Sequence, residues 1–244
     1  MIYIVLGMHK SGTTLIAEIL HKSGINMGEF DEKLGYYQGN KYERKEVYDI
    51  NNRLLGYREK AFSLDVINVV DDVNRLDKNT KTDIENLSRS LNEKFKDWGF
   101  KDPKTCLTYK VWKHFIPQHG VIVVFRHPLE MWLHYNKNNV TTLLRCWSAV
   151  RAWYIYNREI LECLRLSPKN CLVTEYGEFM TQDKSFDALC GFTNKKLLDC
   201  REKDMYRKKK KTVPLFDLIV FLQKILRGRD VDKLYREFKN YCNA

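Results

Sequence analysis

The side chains best suited to chemistry lie near the start of the chain, in the run Gly7–Thr14 (GMHKSGTT). This run follows the short apolar segment Ile2–Leu6 and precedes apolar residues at helical spacing, namely Leu15, Ile16, Ile19 and Leu20. A strand, a glycine-bounded loop and a helix form a phosphate-binding loop, in which backbone N–H groups and the helix N-terminus meet one anion. The glycine spacing matches the ATP/GTP pattern G-x-x-x-x-G-K-[ST], but Thr13 stands where that pattern has its lysine. The sequence therefore predicts a phosphorylated ligand and disfavours an ordinary nucleoside triphosphatase.

The composition of the chain is that of a basic globular protein. Its 244 residues are 44% hydrophobic and 13% aromatic, which is enough for one domain with a real core. Lys and Arg number 42 against 31 Asp and Glu, and this net charge of +11 favours anionic partners such as a polyphosphorylated cofactor, an acidic glycan, nucleic acid or a membrane surface. The seven cysteines include no C-x-x-C pair, which predicts reduced thiols in the cytoplasm and no zinc site. Since no run of about 18 apolar residues is present, we expect no membrane span.

Strands and helices alternate along the sequence. The continuous apolar run Gly120–Phe125 predicts a buried parallel strand, and Pro128 just after it fits the first turn of a helix. Cys171–Tyr176 predicts a further strand. Helices are predicted from about Thr13 to Ser23, from the capping-box pattern Thr82–Glu85 onward, across 145–166 and over Leu215–Leu226. This alternation predicts an α/β fold with three layers (α/β/α), a mainly parallel central sheet and one domain, 1–244, in which a basic loop and helices occupy 205–244.

Four segments, taken in order, resemble the motifs of one enzyme family. They are the loop Gly7–Thr14; Tyr42–Glu46 running into Ile50–Leu55; Trp98–Thr105 (WGFKDPKT), close to W-G-x-K-D-P-[RK]-T; and Val123–Glu130 (VVFRHPLE), a strand followed by R-x-P. Together they resemble the sulfotransferases that use 3′-phosphoadenosine-5′-phosphosulfate (PAPS), most of all the bacterial carbohydrate-type branch. The resemblance implies a P-loop fold and the transfer of a sulfuryl group from PAPS, without a metal, to a hydroxyl or amine of a carbohydrate-like or small-molecule acceptor.

The resemblance also implies where the donor binds. Arg126 would hold the 3′-phosphate, for which a guanidinium is well shaped, and His134 stands where the family has a serine eight residues later. The run Arg207–Lys211, with Arg207 and Lys208 foremost, is either a solvated charge cluster or a basic loop that closes over the same phosphate. Both anion sites follow strand ends, where open α/β sheets place ligands. The 5′-phosphosulfate would contact the first loop through His9, Lys10, Ser11, Gly12, Thr13 and Thr14.

Sulfuryl transfer needs a cation and a base. An acceptor oxygen attacks sulfur while negative charge builds on the bridging oxygen of the leaving bisphosphate, so a nearby cation lowers the barrier. We place Lys10 in this role ahead of Lys101, which belongs to the K-D-P segment. Glu43, at the family's glutamate position, is the preferred base for the acceptor proton, and Asp102 and His9 are alternatives.

The same residues are compatible with two other functions. A P-loop kinase or nucleotide hydrolase would share the scaffold, but the loop lysine and an obvious strand-end aspartate for Mg²⁺ are missing from the sequence. A non-catalytic binder of nucleic acid or another polyanion would use the net charge of +11. Because the basic residues are spread along the chain without an aromatic-basic motif, we expect no nucleic-acid partner.

Overall fold

The computed structural model describes residues 1–31, 33, 39, 41–57, 64, 67–135, 143–166, 170–206 and 213–242. Within these ranges the strands are β1 (Ile2–Leu6), β2 (Trp98–Lys101), β3 (Gly120–Phe125) and β4 (Cys171–Glu175). They form one parallel sheet in the order β2-β1-β3-β4. Because all four strands run the same way, their carboxyl ends meet at one edge of the sheet. The loops that carry the predicted chemistry leave from that edge.

Helices flank the sheet throughout the described part of the chain. No described helix is both long and apolar enough to cross a membrane. In chain order the helices are α1 (Thr13–Lys22), α2 (Lys45–Leu55), α3 (Lys78–Lys94), α4 (Thr105–Phe115), α5 (Pro128–Tyr135), α6 (Leu143–Leu166), α7 (Tyr176–Thr181), α8 (Asp183–Thr193), α9 (Pro214–Arg227) and α10 (Val231–Cys242).

The sheet separates two apolar clusters. Successive side chains of a strand point to opposite faces, and in β1 the residues Ile4 and Leu6 pack on one side whereas Tyr3 and Val5 pack on the other. The first cluster contains buried residues of α2 to α6, α9 and α10, and the second contains buried residues of α1, α7 and α8. The molecule thus has helices on both faces of a parallel sheet, which confirms the predicted three-layer α/β/α fold.

The predicted end of α1 and the predicted start of α5 are confirmed, whereas two other predicted ends are wrong. The strand predicted over Cys171–Tyr176 ends at Glu175, because Tyr176 begins α7. Gly24 follows the last turn of α1 in the left-handed conformation (φ +86°), and Pro128 is the first residue of α5. The start predicted at Thr82 for the third helix is wrong, since α3 begins one turn earlier. There the side chain of Asp77 accepts a hydrogen bond from the backbone N–H of Thr80 at 2.8 Å. Aspartate is among the strongest N-cap residues, and the capping-box pattern therefore lies inside the helix.

Candidate active site

The Gly7–Thr14 loop follows β1 and runs into the first turn of α1, which begins at Thr13, as its sequence pattern predicts. It contains two left-handed residues, Lys10 (φ +68°) and Gly12 (φ +103°). Buried Ser11 closes the loop on itself, because its N–H and its hydroxyl both bond the carbonyl of Met8, at 3.1 and 2.6 Å. Lys10 is exposed, and positive φ at a residue other than glycine is a form of strain that collects at functional sites. Left-handed residues ahead of a helix N-terminus are suited to presenting N–H groups to an anion.

Gly12 lies against the ring of Tyr176, the first residue of α7. A Cβ atom at position 12 would come within 3.0 Å of three atoms of that ring. The φ of +103° also disfavours any side chain of an L-residue. The loop after β1 therefore touches the end of β4, two strands away in the sheet, through a contact that only glycine allows.

Three predicted site residues from separate segments meet beside this loop. Lys101, the last residue of β2, donates from Nζ to Oε1 of Glu43 at 2.9 Å and to Oγ1 of Thr14 at 3.3 Å. The Lys101 side chain is only 2% exposed, whereas that of Glu43 is 24% exposed. The carboxylate is thus accessible to a ligand while its cationic partner is held within the protein.

Asp102, the alternative base, has a different environment. It is fully buried, and its two oxygens accept hydrogen bonds from Nδ2 of Asn51 at 2.9 Å and from the backbone N–H of Lys104 at 3.1 Å. Burial raises the pKa of the Asp102 carboxyl, and the ammonium of Lys104, 3.7 Å away, acts against that shift. These contacts hold the turn between β2 and α4 and leave Asp102 without access to solvent.

The pKa of His9 reflects the positive charges around the loop. Burial, followed by the charges of Lys104, Lys101, Lys10 and Lys41, lowers the pKa of this imidazole from 6.5 to about 3. His9 is consequently neutral at pH 7. Four ammonium groups act on this one ring, and clustered positive charge of this kind favours the binding of a multiply charged anion.

Arg126 follows β3 and reaches the same loop. Its Nε donates to Oε2 of Glu130 at 3.0 Å, and its Nη1 donates to the carbonyl of Lys10 at 3.4 Å. The guanidinium carbon lies 4.7 Å from the centre of the Tyr176 ring. The sheet therefore brings the second predicted phosphate ligand into direct contact with the first loop.

The structure describes only one of the three remaining residues predicted to bind the donor. His134 is half-buried in the last turn of α5, while Arg207 and Lys208 lie outside the described residues. The sequence patterns predict no role for Asn51, Lys104 or Tyr176. The first two belong to segments of the family resemblance, so a signal existed for them, but nothing in the sequence pairs Tyr176 with Gly12.

The site offers no assembled metal centre within the described ranges. No group of three or more His, Cys, Asp or Glu side chains is placed there to hold a metal ion. All seven cysteines are free thiols.

Comparison with known proteins identifies the fold. No protein-family model and no curated protein sequence matches this chain. Among solved structures, it is similar to the sulfotransferase domain of the Synechococcus PCC 7002 olefin synthase, with a TM-score of 0.52 and 16% identity over 98% of this chain and 94% of that one. The sulfotransferase domain from the curacin biosynthetic pathway superposes with a TM-score of 0.49 and 15% identity over 98% and 90% of the two chains. From the first of these similarities and the parallel sheet just described, we conclude that the chain has the sulfotransferase fold.

Proposed function

We propose that this protein transfers a sulfuryl group from PAPS to a hydroxyl or amine of a carbohydrate-like or small-molecule acceptor. The observation that carries the proposal is the contact of Glu43 with Lys101 and of Lys101 with Thr14, directly beside the Gly7–Thr14 loop. It combines an accessible carboxylate, a buried cation and a hydroxyl at the carboxyl edge of a parallel sheet. The sulfotransferase fold supports the same reaction class, and the seven free thiols support a reducing, cytoplasmic compartment.

The residues present fit a donor with phosphate groups at two ends. The Gly7–Thr14 loop, with Lys10 exposed on it, would hold the 5′-phosphosulfate, and Arg126 would hold the 3′-phosphate. Arg126 is paired with Glu130, so a phosphate would take the place of that carboxylate on the guanidinium. The positive potential at His9 favours the charge of such a donor. When bound, PAPS supplies an activated sulfur with a stable bisphosphate as its leaving group.

The arrangement gives each side chain one task in an in-line displacement. The acceptor oxygen would form a bond to sulfur, Glu43 would take its proton, and the bond between sulfur and the bridging oxygen would break with its electron pair on the bisphosphate. Lys10 stabilises the charge on that oxygen, and Lys101 orients Glu43 against the loop. Glu43 is favoured over Asp102 as the base because Asp102 is fully buried and its two oxygens are engaged.

Thermal-shift titration tests the proposal without knowledge of the acceptor. We expect 3′-phosphoadenosine-5′-phosphate to stabilise the protein without magnesium, by about 2.7 kcal/mol at a concentration one hundred times its Kd. Labelled PAPS with a panel of glycans and small alcohols then identifies the acceptor. Stabilisation by ATP with magnesium alone would assign a kinase or hydrolase instead, and a salt-sensitive response to oligonucleotides alone would assign a polyanion binder.

Replacement of the proposed base gives a sharper test. Glu43→Gln should abolish transfer and leave the Kd for the bisphosphate nearly unchanged, because the proposal gives the carboxylate the acceptor proton and no contact with the donor phosphates. Glu46→Gln is the matched control, since Glu46 is exposed in the first turn of α2. Weakened bisphosphate binding with residual transfer in Glu43→Gln would make Glu43 a structural residue.

A further inference from the structure

One buried amide joins the two chain segments that supply Glu43 and Lys101. Asn51 of α2 is fully buried, and its Nδ2 donates to Oδ2 of Asp102 at 2.9 Å and to Oγ1 of Thr105 at 3.0 Å. Its Oδ1 accepts two further bonds, from Oγ1 of Thr108 at 2.7 Å and Nε1 of Trp112 at 2.9 Å. A primary amide has two N–H groups and two acceptor positions, so the hydrogen-bonding capacity of Asn51 is filled.

All four hydrogen bonds connect α2 to the same neighbouring segment, which consists of the turn after β2 and helix α4. Glu43 lies two residues before α2 begins, and Lys101 directly precedes Asp102. The amide therefore joins the chain segment that carries the Glu43 carboxylate to the one that carries the Lys101 ammonium, and these two groups meet at 2.9 Å. In a fully buried position, no water can replace a lost partner, and each broken bond leaves an unsatisfied group.

We infer that Asn51 is a positioning residue of the reaction, which holds the Glu43 carboxylate against Lys101 through its bond to Asp102. The inference rests on the proposed function, because it assigns Asn51 to the geometry of the proposed base. It also gives Asp102 a role: the carboxylate is the partner of the amide and does not take the acceptor proton. A displacement of about 1 Å at a reacting group can cost roughly a hundredfold in rate, so one amide is sufficient to control turnover.

Substitutions at Asn51 and at its partner Asp102, first singly and then exchanged, test this inference. Asn51→Asp places a second carboxylate against Asp102 and removes the donor, which separates the two segments. We expect kcat to fall roughly 10- to 100-fold with the Kd for the bisphosphate unchanged, since Arg126 and the Gly7–Thr14 loop are not touched. Asp102→Asn should lower kcat in the same way, because two amides then face each other without the original charge.

The double variant Asn51→Asp/Asp102→Asn should recover most of the activity. The exchanged pair again consists of one amide and one carboxylate, and the hydroxyl of Thr105 can turn to donate to the new acid. Recovery also separates positioning from catalysis, because a variant without a carboxylate at position 102 cannot use it as a base. If the double variant stays as inactive as Asp102→Asn while it folds and binds the bisphosphate, the inference is wrong.

A pH profile supplies a second readout. In Asn51→Asp the two adjacent acids share one proton at low pH and repel each other once it is lost, so kcat should fall as pH rises relative to wild type. The charges of Lys104 and Glu43 act on Asp102, and the titratable groups of Cys106 and Tyr156 also interact with it; all four residues are unchanged in this variant. Asn157→Asp is the matched control, because Asn157 is also buried but, among the described residues, its side-chain amide bonds the Trp153 carbonyl of its own helix α6 and not a second segment.

Failure of the inference and failure of the proposed function are distinguishable. A wild-type protein that neither binds the bisphosphate nor transfers label from PAPS would refute the proposed function. A wild-type protein that does both, with Asn51→Asp equally active and equally insensitive to pH, would refute only the positioning role of Asn51. Loss of activity in Asn157→Asp to the same extent would show that any buried Asn→Asp change acts through stability, and would also overturn the inference.

Discussion

Gly12 offers the most direct test of how the loop is built. The change Gly12→Ala adds one carbon atom within 3.0 Å of three atoms of the Tyr176 ring, where carbon atoms normally stay about 3.5–4.0 Å apart. The ring cannot move without consequence, because the guanidinium of Arg126 lies 4.7 Å from its centre and the ring of Tyr206 packs edge-on at 5.7 Å. The substitution therefore disturbs both proposed phosphate sites at once.

The expected magnitude comes from comparison with a second glycine. Gly24 also has a positive φ, but a Cβ atom there would meet nothing within 4 Å. Gly24→Ala should therefore cost only the backbone strain of a left-handed residue, about 1–2 kcal/mol. Gly12→Ala adds an overpacking cost of about 1–3 kcal/mol. An additional 2 kcal/mol corresponds to roughly 4–8 °C in Tm for a chain of this length.

The assay measures Tm and the Kd for 3′-phosphoadenosine-5′-phosphate in both variants. We expect Gly12→Ala to have the lower Tm and at least a tenfold weaker Kd, and Gly24→Ala to keep the wild-type Kd. In Gly12→Ala/Tyr176→Ala the added methyl group has space, so the double variant should be about 1–3 kcal/mol more stable than the sum of its single changes. Equal Tm values for the two glycine variants, or strict additivity in the double variant, would refute the contact.

Two further predictions concern the positive charge around the loop. The lowered pKa of His9, about 3 against an ordinary value of 6.5, means that the unfolded chain binds a proton which the folded protein does not, so stability should fall as pH drops from about 6.5 toward 3. His9→Asn should reduce that slope by about 1 kcal/mol per pH unit in denaturant titrations, and an unchanged slope would contradict the neutral imidazole. Lys10→Ala should cut turnover by roughly two to three orders of magnitude if Lys10 stabilises the leaving oxygen. Near-normal activity in Lys10→Ala, or an equal loss in the exposed control Lys45→Ala, would remove Lys10 from the mechanism.

Local patterns were sufficient to predict most of the architecture. The apolar run Gly120–Phe125 became the fully buried strand β3, and the glycine spacing of Gly7–Thr14 became a loop between a strand and a helix. Such patterns work because side-chain periodicity and backbone freedom are properties of a few neighbouring residues. The predicted start of α3 was wrong because local patterns can be ambiguous. Asp77 and Thr82 are both residue types that cap helices, and only the structure shows that Asp77 is the N-cap.

What the sequence determined by itself is the set of chemical groups of the site. A glycine-bounded loop with Lys10, the pair Lys101 and Asp102, and Arg126 lie at strand ends, and the acid Glu43 lies just before a helix. Only the tertiary structure decided which of the two acids is accessible, because burial depends on what packs over a residue and not on its neighbours in sequence. It also decided that Asn51 bonds Asp102 and that Gly12 lies under Tyr176. These contacts join residues 51 and more positions apart, and they arise from the order of strands in the sheet.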